Sequence, residues 1–118
     1  MKTFLAIYIG TEGALERARW TELDAEKRQT LEARGFQAWM EWGTANSAAI
    51  VDQGTPLGKT KRASRDGIAD IENAMTGYVI VRAESHEAAA RLFENHPHFS
   101  IFPGDSVEIM ECLPLPEP

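Results

Sequence analysis

Cysteine is almost missing from this chain of 118 residues, in which Cys112 is the single example. One thiol cannot close an internal disulfide, so packing and hydrogen bonds must hold the fold, and we expect a reducing, cytoplasmic environment. Long apolar runs are missing as well. No stretch approaches the roughly 20 residues that a membrane-spanning helix needs, and we therefore expect no membrane partner.

Positive charge is scarce too. There are 12 Lys and Arg residues against 18 Asp and Glu residues, which gives a net charge of −6. Nucleic-acid binding depends on cationic side chains that neutralise phosphates, so the composition argues against such a partner. The sequence also lacks a glycine-rich phosphate loop and a Gly-x-Ser-x-Gly motif. Nucleotide binding and serine hydrolysis find no support, and we expect no cofactor.

The length allows one domain with a hydrophobic core and is too short for two ordinary domains. We therefore treat residues 1–118 as a single domain. Its last part, residues 114–118, is a proline-rich tail that we expect to be extended.

Apolar periodicity predicts four main strands and two helices, in the order strand, helix, strand, strand, helix, strand. The strands are predicted at residues 3–9, 48–52, 77–83 and 107–113. The first helix is predicted at residues 20–43, beginning at a capping box formed by Thr21 and Asp24. The second helix follows the N-cap Ser85 and stops at Pro97, because proline does not continue a helix comfortably.

A polar hairpin lies between the second and third main strands. Residues 54–58 have strong turn chemistry, residues 59–64 are typical of an exposed strand, and residues 65–67 predict a second tight turn. Residues 68–76 are ambiguous between a loop and a short strand.

These elements predict an α+β fold, a ferredoxin-like (βαβ-βαβ) sandwich with an antiparallel sheet and an inserted hairpin. Gly35, inside the first helix, indicates that this helix packs closely against the sheet. Helices cover only one face of such a sheet, and apolar residues on the other face need a cover. A second copy would provide it, so we predict a homodimer with the two sheets packed face to face, a dimeric α/β barrel.

Two of the three histidines, His96 and His98, lie in one tight turn ahead of the last strand. One hypothesis makes His98, or failing that His96, a general acid–base group that Asp66 orients. The alternative is structural: His96 continues the apolar face of the second helix, and His98 bonds a loop carbonyl. Only two good metal ligands are visible in this turn, so we predict no metal site.

Four cations fall within seven residues, at Lys59, Lys61, Arg62 and Arg65. We favour a solvated strand edge, where lysines discourage aggregation between sheets. The alternative is an anion-binding hairpin, in which Lys59 and Lys61 would hold a small anionic metabolite. The sequence leaves open whether the hairpin at residues 59–65 faces ligand, the dimer mate or solvent.

Aromatic residues supply further candidates. Tyr78 and Phe99 are predicted to contact a ligand in a cleft between the helices and the sheet. Tyr8 lies on a strand predicted to neighbour that of Tyr78, and a phenol in a cleft can bind or protonate a ligand, although a buried hydroxyl with one partner is commoner. Trp39 and Trp42 fit the core or a dimer rim better than a ligand cage, because each buries a large apolar area.

Several segments, taken in order, resemble the YCII-related (DGPF-domain) family. They are Pro56-Leu57-Gly58-Lys59-Thr60, Asp66-Gly67, residues 77–83, Ser85 with the short alanine-rich helix after it, and residues 107–111. The resemblance spans about residues 1–116, and it implies a dimeric α/β barrel built from ferredoxin-like protomers. Most members of the family have no assigned activity, so the resemblance supports fold more than function.

Some members of that family, including a dehydrochlorinase of chlorinated hydroquinones, are thought to use a histidine–aspartate pair in a cleft. In that pattern the histidine lies near the start of the first helix. Residues 11–24 of this chain contain no histidine, so the catalytic pair is not carried over.

Two functional hypotheses follow. One is a small-molecule-binding homodimer without catalysis, which uses the cleft between helices and sheet. The other is a cofactor-independent lyase or isomerase, in which one histidine moves a proton and Lys59 steadies an anionic substrate. The sequence does not decide whether the chain is an enzyme.

Overall fold

A computed structural model describes residues 1–117 of the chain. Its helices are α1 (Glu12–Ala18), α2 (Ala25–Ala45), α3 (His86–Arg91) and α4 (Pro97–Ser100), with a single 3₁₀ turn at Trp20–Glu22. Its strands are β1 (Lys2–Ile9), β2 (Ile50–Asp52), β3 (Thr60–Ser64), β4 (Gly67–Ile71), β5 (Met75–Ala83) and β6 (Ser106–Glu111). Each of the four predicted main strands has a counterpart, in β1, β2, β5 and β6.

These four strands form one antiparallel sheet in the order β2-β5-β1-β6, and β3 and β4 form a separate hairpin. The two central strands come from different halves of the chain, and each half adds one edge strand. This is the ferredoxin-like order with a hairpin inserted between β2 and β5. The predicted α+β fold class is therefore confirmed.

Alternation along β1 decides which face of the sheet is buried. Phe4, Ala6 and Tyr8 are at most 5% exposed, and the side chains between them are half-buried. Across the strand pair, Phe4 lies opposite Val81 and Ala6 opposite Val79, so both strands present apolar side chains on one face. The rest of the buried core consists of Ala83, Ala89 and Phe93, with Trp39, Trp42 and Leu92 packed against it. The helices therefore lie on this face.

The first long helix, α2, begins after Asp24 and not at the predicted capping box. The Asp24 carboxylate accepts a hydrogen bond from the Lys27 N–H at 2.8 Å, which makes Asp24 itself the N-cap. Aspartate is a strong N-cap because its charge also suits the positive helix end. The segment before it forms α1, which starts at the N-cap Thr11 and ends at Arg19, a residue with left-handed backbone (φ 53°).

The second predicted helix is also shorter than expected. α3 ends at Arg91, and Pro97 does not stop it but opens α4, with His96 as the N-cap. Proline suits the first turn of a helix, because its fixed φ is helical and its missing N–H is not needed there. His96 therefore lies before a helix start, not on the last turn of a helix as predicted.

Gly35 is buried, but its close neighbour is an aromatic ring and not the sheet. A Cβ at this position would overlap the ring of Phe102, in the segment that follows α4. The glycine thus lets α2 approach Phe102, and the predicted approach to the sheet is wrong.

Within residues 1–117, the hairpin of β3 and β4 pairs with no other strand. Its register runs from Thr60 opposite Ile71 to Ser64 opposite Gly67, which has a φ of 101°. The predicted exposed strand and tight turn are confirmed, and the ambiguous residues 68–76 hold β4 and the start of β5. The molecule measures 57 × 42 × 19 Å, with a radius of gyration of 16.4 Å. A compact domain of this length would have about 13.5 Å, so the fold is elongated.

Residues 112–117 have no regular secondary structure, as expected for the proline-rich tail, and Pro118 lies outside the described residues. Among residues 1–117, no helix combines the length and the hydropathy needed to cross a bilayer.

Candidate ligand cleft

A cleft of about 1130 Å³ opens between α2 and the edge of the sheet where β2 meets β5. Aromatic and apolar side chains supply most of its lining: Tyr8, Phe36, Trp39, Met40, Trp42, Ile50, Pro56, Tyr78, Val79 and Phe102. The polar lining residues are Thr44, Ser47, Gln53, Thr55 and Thr76, together with Gly43, Gly54 and Gly77. A largely apolar concave surface with a few polar groups is typical of small-molecule sites.

Helix α2 supplies the aromatic wall. Trp39 and Trp42 pack against the core, as predicted, and they also line the cleft. The Trp42 indole N–H donates to the Leu92 carbonyl at 2.7 Å, which fixes that ring between α2 and the segment after α3. Phe36 and Met40 remain 62% and 63% exposed in the same lining. These two side chains leave apolar surface of α2 accessible at the cleft.

The loop after β2 forms another part of the lining. Gly54 has a φ of 66°, and its N–H donates to the Asp52 carboxylate at 2.8 Å. The loop then rejoins the sheet edge, since the Tyr78 N–H donates to the Thr55 carbonyl at 3.3 Å and Pro56 bridges to Gly77. The backbone, and not only the side chains, therefore shapes this side of the cleft.

A buried chain of polar groups starts at Tyr8. The His96 ring is fully buried, and its Nδ1 accepts a hydrogen bond from the His98 backbone N–H at 3.0 Å. A neutral imidazole carries one hydrogen, which must therefore be on Nε2. Nε2 lies 3.4 Å from the Tyr8 hydroxyl oxygen, so the imidazole donates a long hydrogen bond to Tyr8.

Burial sets the protonation of both groups. Burial and, as the smaller cause, charge repulsion from the nearby His98 ring together lower the pKa of His96 from 6.5 to about 4. Burial also raises the pKa of the Tyr8 hydroxyl. Near neutral pH both groups are uncharged, which agrees with the aromatic rings of Trp39, Trp42 and Phe93 packed around His96.

His98 is buried by a different set of contacts. Its Nε2 donates to the Ile9 carbonyl at 2.7 Å, and its ring packs so closely on Gly104 that a Cβ there would overlap it. Neither His96 nor His98 is among the cleft-lining residues. Asp66 lies in the turn of the hairpin, where its N–H donates to the Ser64 hydroxyl, and no hydrogen bond within residues 1–117 joins it to either histidine. The general acid–base role of these residues stays a prediction.

The predicted ligand-contact residues are separated in space. Tyr78 lines the cleft, whereas Lys59 and Lys61 line a hollow on the hairpin together with Asp70. The Lys61 ammonium pairs with the Asp70 carboxylate at 2.6 Å. Phe99 lies on α4, exposed and outside the cleft lining. Of the four, only Tyr78 lines the cleft.

Sequence reasoning missed the contribution of Phe36, Met40 and Phe102 to the lining. Phe36, Met40 and Gly43 recur at helical spacing, and this spacing was the available signal for one face of α2. No sequence pattern indicates that Phe102 lines the cleft, because the position of this residue depends on the chain reversal after α4. The part of the chain that the structure describes also holds no group of three or more His, Cys, Asp or Glu side chains that could bind a metal ion.

The strand order, with helices on one face, defines a protein of the ferredoxin-like class to which dimeric α/β barrels belong. Among solved structures, the chain is similar to the 5-chloro-2-hydroxyhydroquinone dehydrochlorinase of Burkholderia phenoliruptrix, in its complex with 2,5-dihydroxybenzoquinone. The TM-score is 0.54 and the identity 16%, over 92% of this chain and 90% of the other. At this identity the likeness shows the fold. No protein-family profile matches the sequence, and no curated protein matches it closely enough to establish a relationship.

Proposed function

We propose that this chain is a small-molecule-binding protein whose cleft holds a neutral, largely apolar, planar molecule. The observation that carries the proposal is the lining itself: two tryptophans and four further aromatic residues line the space, and Phe36, one of these four, and Met40 are left uncovered there. Planar rings gain both buried area and ring stacking against such walls.

The charge of the ligand follows from the same lining. Among the described residues that line the cleft, none is Asp, Glu, Lys, Arg or His. An anion placed there would lose its hydration without gaining a partner, which is costly. The expected small anionic metabolite thus suits the hollow beside Lys59 and Lys61 better than the cleft, and its binding stays a prediction.

The structural neighbour gives limited support. Its complex contains 2,5-dihydroxybenzoquinone, a flat ring, so the shared fold is compatible with a ligand of that shape. The alternative function, a lyase or isomerase that uses His98 or His96, gains no specific observation, since both rings are buried outside the cleft lining. We therefore propose binding and no reaction.

Binding of a neutral aromatic probe tests the proposal. We expect 2-isopropenylnaphthalene to bind the wild type and to quench tryptophan fluorescence, because Trp39 and Trp42 line the cleft. Met40→Glu should weaken this binding about tenfold or more, since the carboxylate has to stay hydrated in the cleft. Ala33→Glu is the matched control, because it adds the same charge to an exposed position of α2 outside the lining. Equal affinity of Met40→Glu and wild type would rule out this cleft as the site.

The sheet face away from the helices supports a homodimer as part of the same proposal. Leu5 lies opposite Ile80 on one side and Met110 on the other, and Ile7 lies opposite Tyr78. These side chains point away from the buried row of Phe4, Ala6 and Tyr8. Met110 is 43% exposed there. This face also carries Glu108, opposite Ile7 on the edge strand, but its centre is apolar. An apolar centre of this kind matches the self-complementary contact of a two-fold dimer.

Light scattering checks the dimer. We expect a mass of about 26 kDa, twice the 13.1 kDa of the chain. Met110→Lys should shift the protein toward the monomer, because it places a charge on the apolar face, whereas Ala33→Lys on α2 should not. A monomer mass for the wild type at about 100 μM would contradict the proposal.

A further inference from the structure

The hydroxyl group of Tyr8 has a hydrogen for which residues 1–117 provide no acceptor. Its oxygen accepts the hydrogen bond from His96 Nε2, and this is the hydroxyl's one hydrogen bond within those residues. The opposite direction is excluded, because His96 Nδ1 already accepts from the His98 N–H and a neutral ring cannot accept at both nitrogens. The Tyr8 side chain is therefore a donor that still lacks a partner.

The residue that carries this donor is a buried member of the cleft lining. Tyr8 is 5% exposed, yet it belongs to the cleft lining. The polar side chains of the lining at Thr44, Ser47 and Gln53 are exposed, so water satisfies them. A buried donor without an acceptor costs free energy, and a ligand that supplies the acceptor recovers it.

The Tyr8 ring is held in a fixed place. Its centroid lies 4.9 Å from the Trp39 ring and 5.2 Å from the His96 ring. The Thr76 hydroxyl donates to the Tyr8 carbonyl at 3.0 Å, which fixes the backbone. The incoming hydrogen bond from His96 also polarises the hydroxyl and strengthens it as a donor. Burial favours the neutral phenol, so the hydrogen stays on the oxygen at ordinary pH.

We propose that Tyr8 is the specificity-determining donor of the cleft, and that the ligand carries a neutral hydrogen-bond acceptor, such as a ketone carbonyl, on the edge that enters the cleft first. This inference rests on the proposed function of the cleft and narrows its ligand class, from any flat apolar molecule to one with an acceptor. A bare hydrocarbon of the same shape fills the space but leaves the hydroxyl unsatisfied.

Two probes of nearly equal shape separate these cases. 2-Acetonaphthone has a carbonyl oxygen where 2-isopropenylnaphthalene has a methylene group. We expect the wild type to bind the ketone about fivefold more tightly than the alkene, after correction for their different partition from water into hydrocarbon. Tyr8→Phe should remove this preference and leave alkene affinity within about twofold. Tyr78→Phe, which removes a tyrosine hydroxyl from the opposite face of the sheet, is the matched control and should keep the preference.

The possible outcomes are distinct. Equal affinity of the wild type for the two probes overturns the Tyr8 inference and leaves the proposed function standing. The same holds if Tyr8→Phe keeps the preference or if Tyr78→Phe loses it. If neither probe binds the wild type, the proposed function fails and the inference fails with it.

Infrared spectroscopy on the wild type avoids dependence on the folding of a variant. The ¹³C-labelled carbonyl of bound 2-acetonaphthone should absorb at a lower wavenumber than the same ketone in hexane, because a donated hydrogen bond weakens the C=O bond. A bound carbonyl band at the hexane position would overturn the inference.

Discussion

Acidification from pH 7.5 to pH 4.5 is expected to lower the free energy of unfolding by about 2 to 3 kcal/mol through His96 alone. The folded protein holds this ring neutral because burial and the neighbouring His98 lower its pKa to about 4, from an ordinary value of 6.5. Between those two values the unfolded chain binds a proton that the folded protein does not. Stability is therefore complete above about pH 6.5 and is lost progressively as the pH falls toward 4.

Urea unfolding across this pH range, in the wild type and His96→Gln, measures the effect. His96→Gln should be less stable at pH 7.5, because its side chain does not fill the space between Trp39 and Trp42, but it should lose about 2 to 3 kcal/mol less on acidification. His86→Gln is the control, since His86 is exposed and its Nε2 contacts the Ile109 carbonyl at the surface.

Protonation of carboxylates in acid also lowers the free energy of unfolding. We expect this loss to be equal in the wild type, His96→Gln and His86→Gln. The Thr11 hydroxyl and then the Arg17 guanidinium lower the pKa of Asp105, and this contribution cancels in the comparison. If His96→Gln retains the full acid sensitivity of the wild type, the prediction is wrong. An NMR titration of the His96 ring gives the same answer without a variant: a midpoint near 6.5 would contradict burial of the neutral ring.

Local patterns were enough to predict the sheet. β1 alternates between buried and half-buried side chains from Thr3 to Ile9, and β5 does the same for most of its length. Composition was enough to predict both central strands: residues 3–9 are rich in β-branched and aromatic residues, and residues 77–83 form a near-continuous apolar run. The Ser85 cap was predictable as well, because its hydroxyl accepts from the Ala88 N–H at 3.1 Å within a single turn of chain. These features depend on residues close in sequence.

Features that depend on distant residues were not predictable. The His96–Tyr8 contact joins residues 88 positions apart. The apolar face that His96 continues indicates a structural role for the ring, but nothing in the local sequence indicates Tyr8 as its partner. Pro97 shows a second limit, because the same proline can end one helix or begin the next, and packing decides between them. The cleft combines both limits: its walls are α2, a loop and two strands, and only their assembly creates the concave surface.

Replacing Gly54 by alanine should cost about 3 kcal/mol or more of stability, because two effects add there. The φ of 66° is unfavourable for any residue with a Cβ, at a cost of about 1 to 2 kcal/mol. The Cβ would also overlap the backbone carbonyl of Tyr78, which belongs to central strand β5 and has no rotamer through which to move away. Relief requires the loop to separate from the strand, which breaks the hydrogen bond between Tyr78 N–H and the Thr55 carbonyl.

Gly67→Ala separates the two effects, since Gly67 has a φ of 101° but open space around its missing side chain. It should cost about 1 to 2 kcal/mol, the conformational part alone. Gly58→Ala, with neither a positive φ nor a near neighbour, should be close to neutral. Urea unfolding measures the free energy of unfolding of the three variants. Equal losses of stability for Gly54→Ala and Gly67→Ala would show that the loop moves away from the strand at no cost. Because the loop lines the cleft, Gly54→Ala should also weaken binding of 2-isopropenylnaphthalene, whereas Gly67→Ala, on the distant hairpin turn, should not.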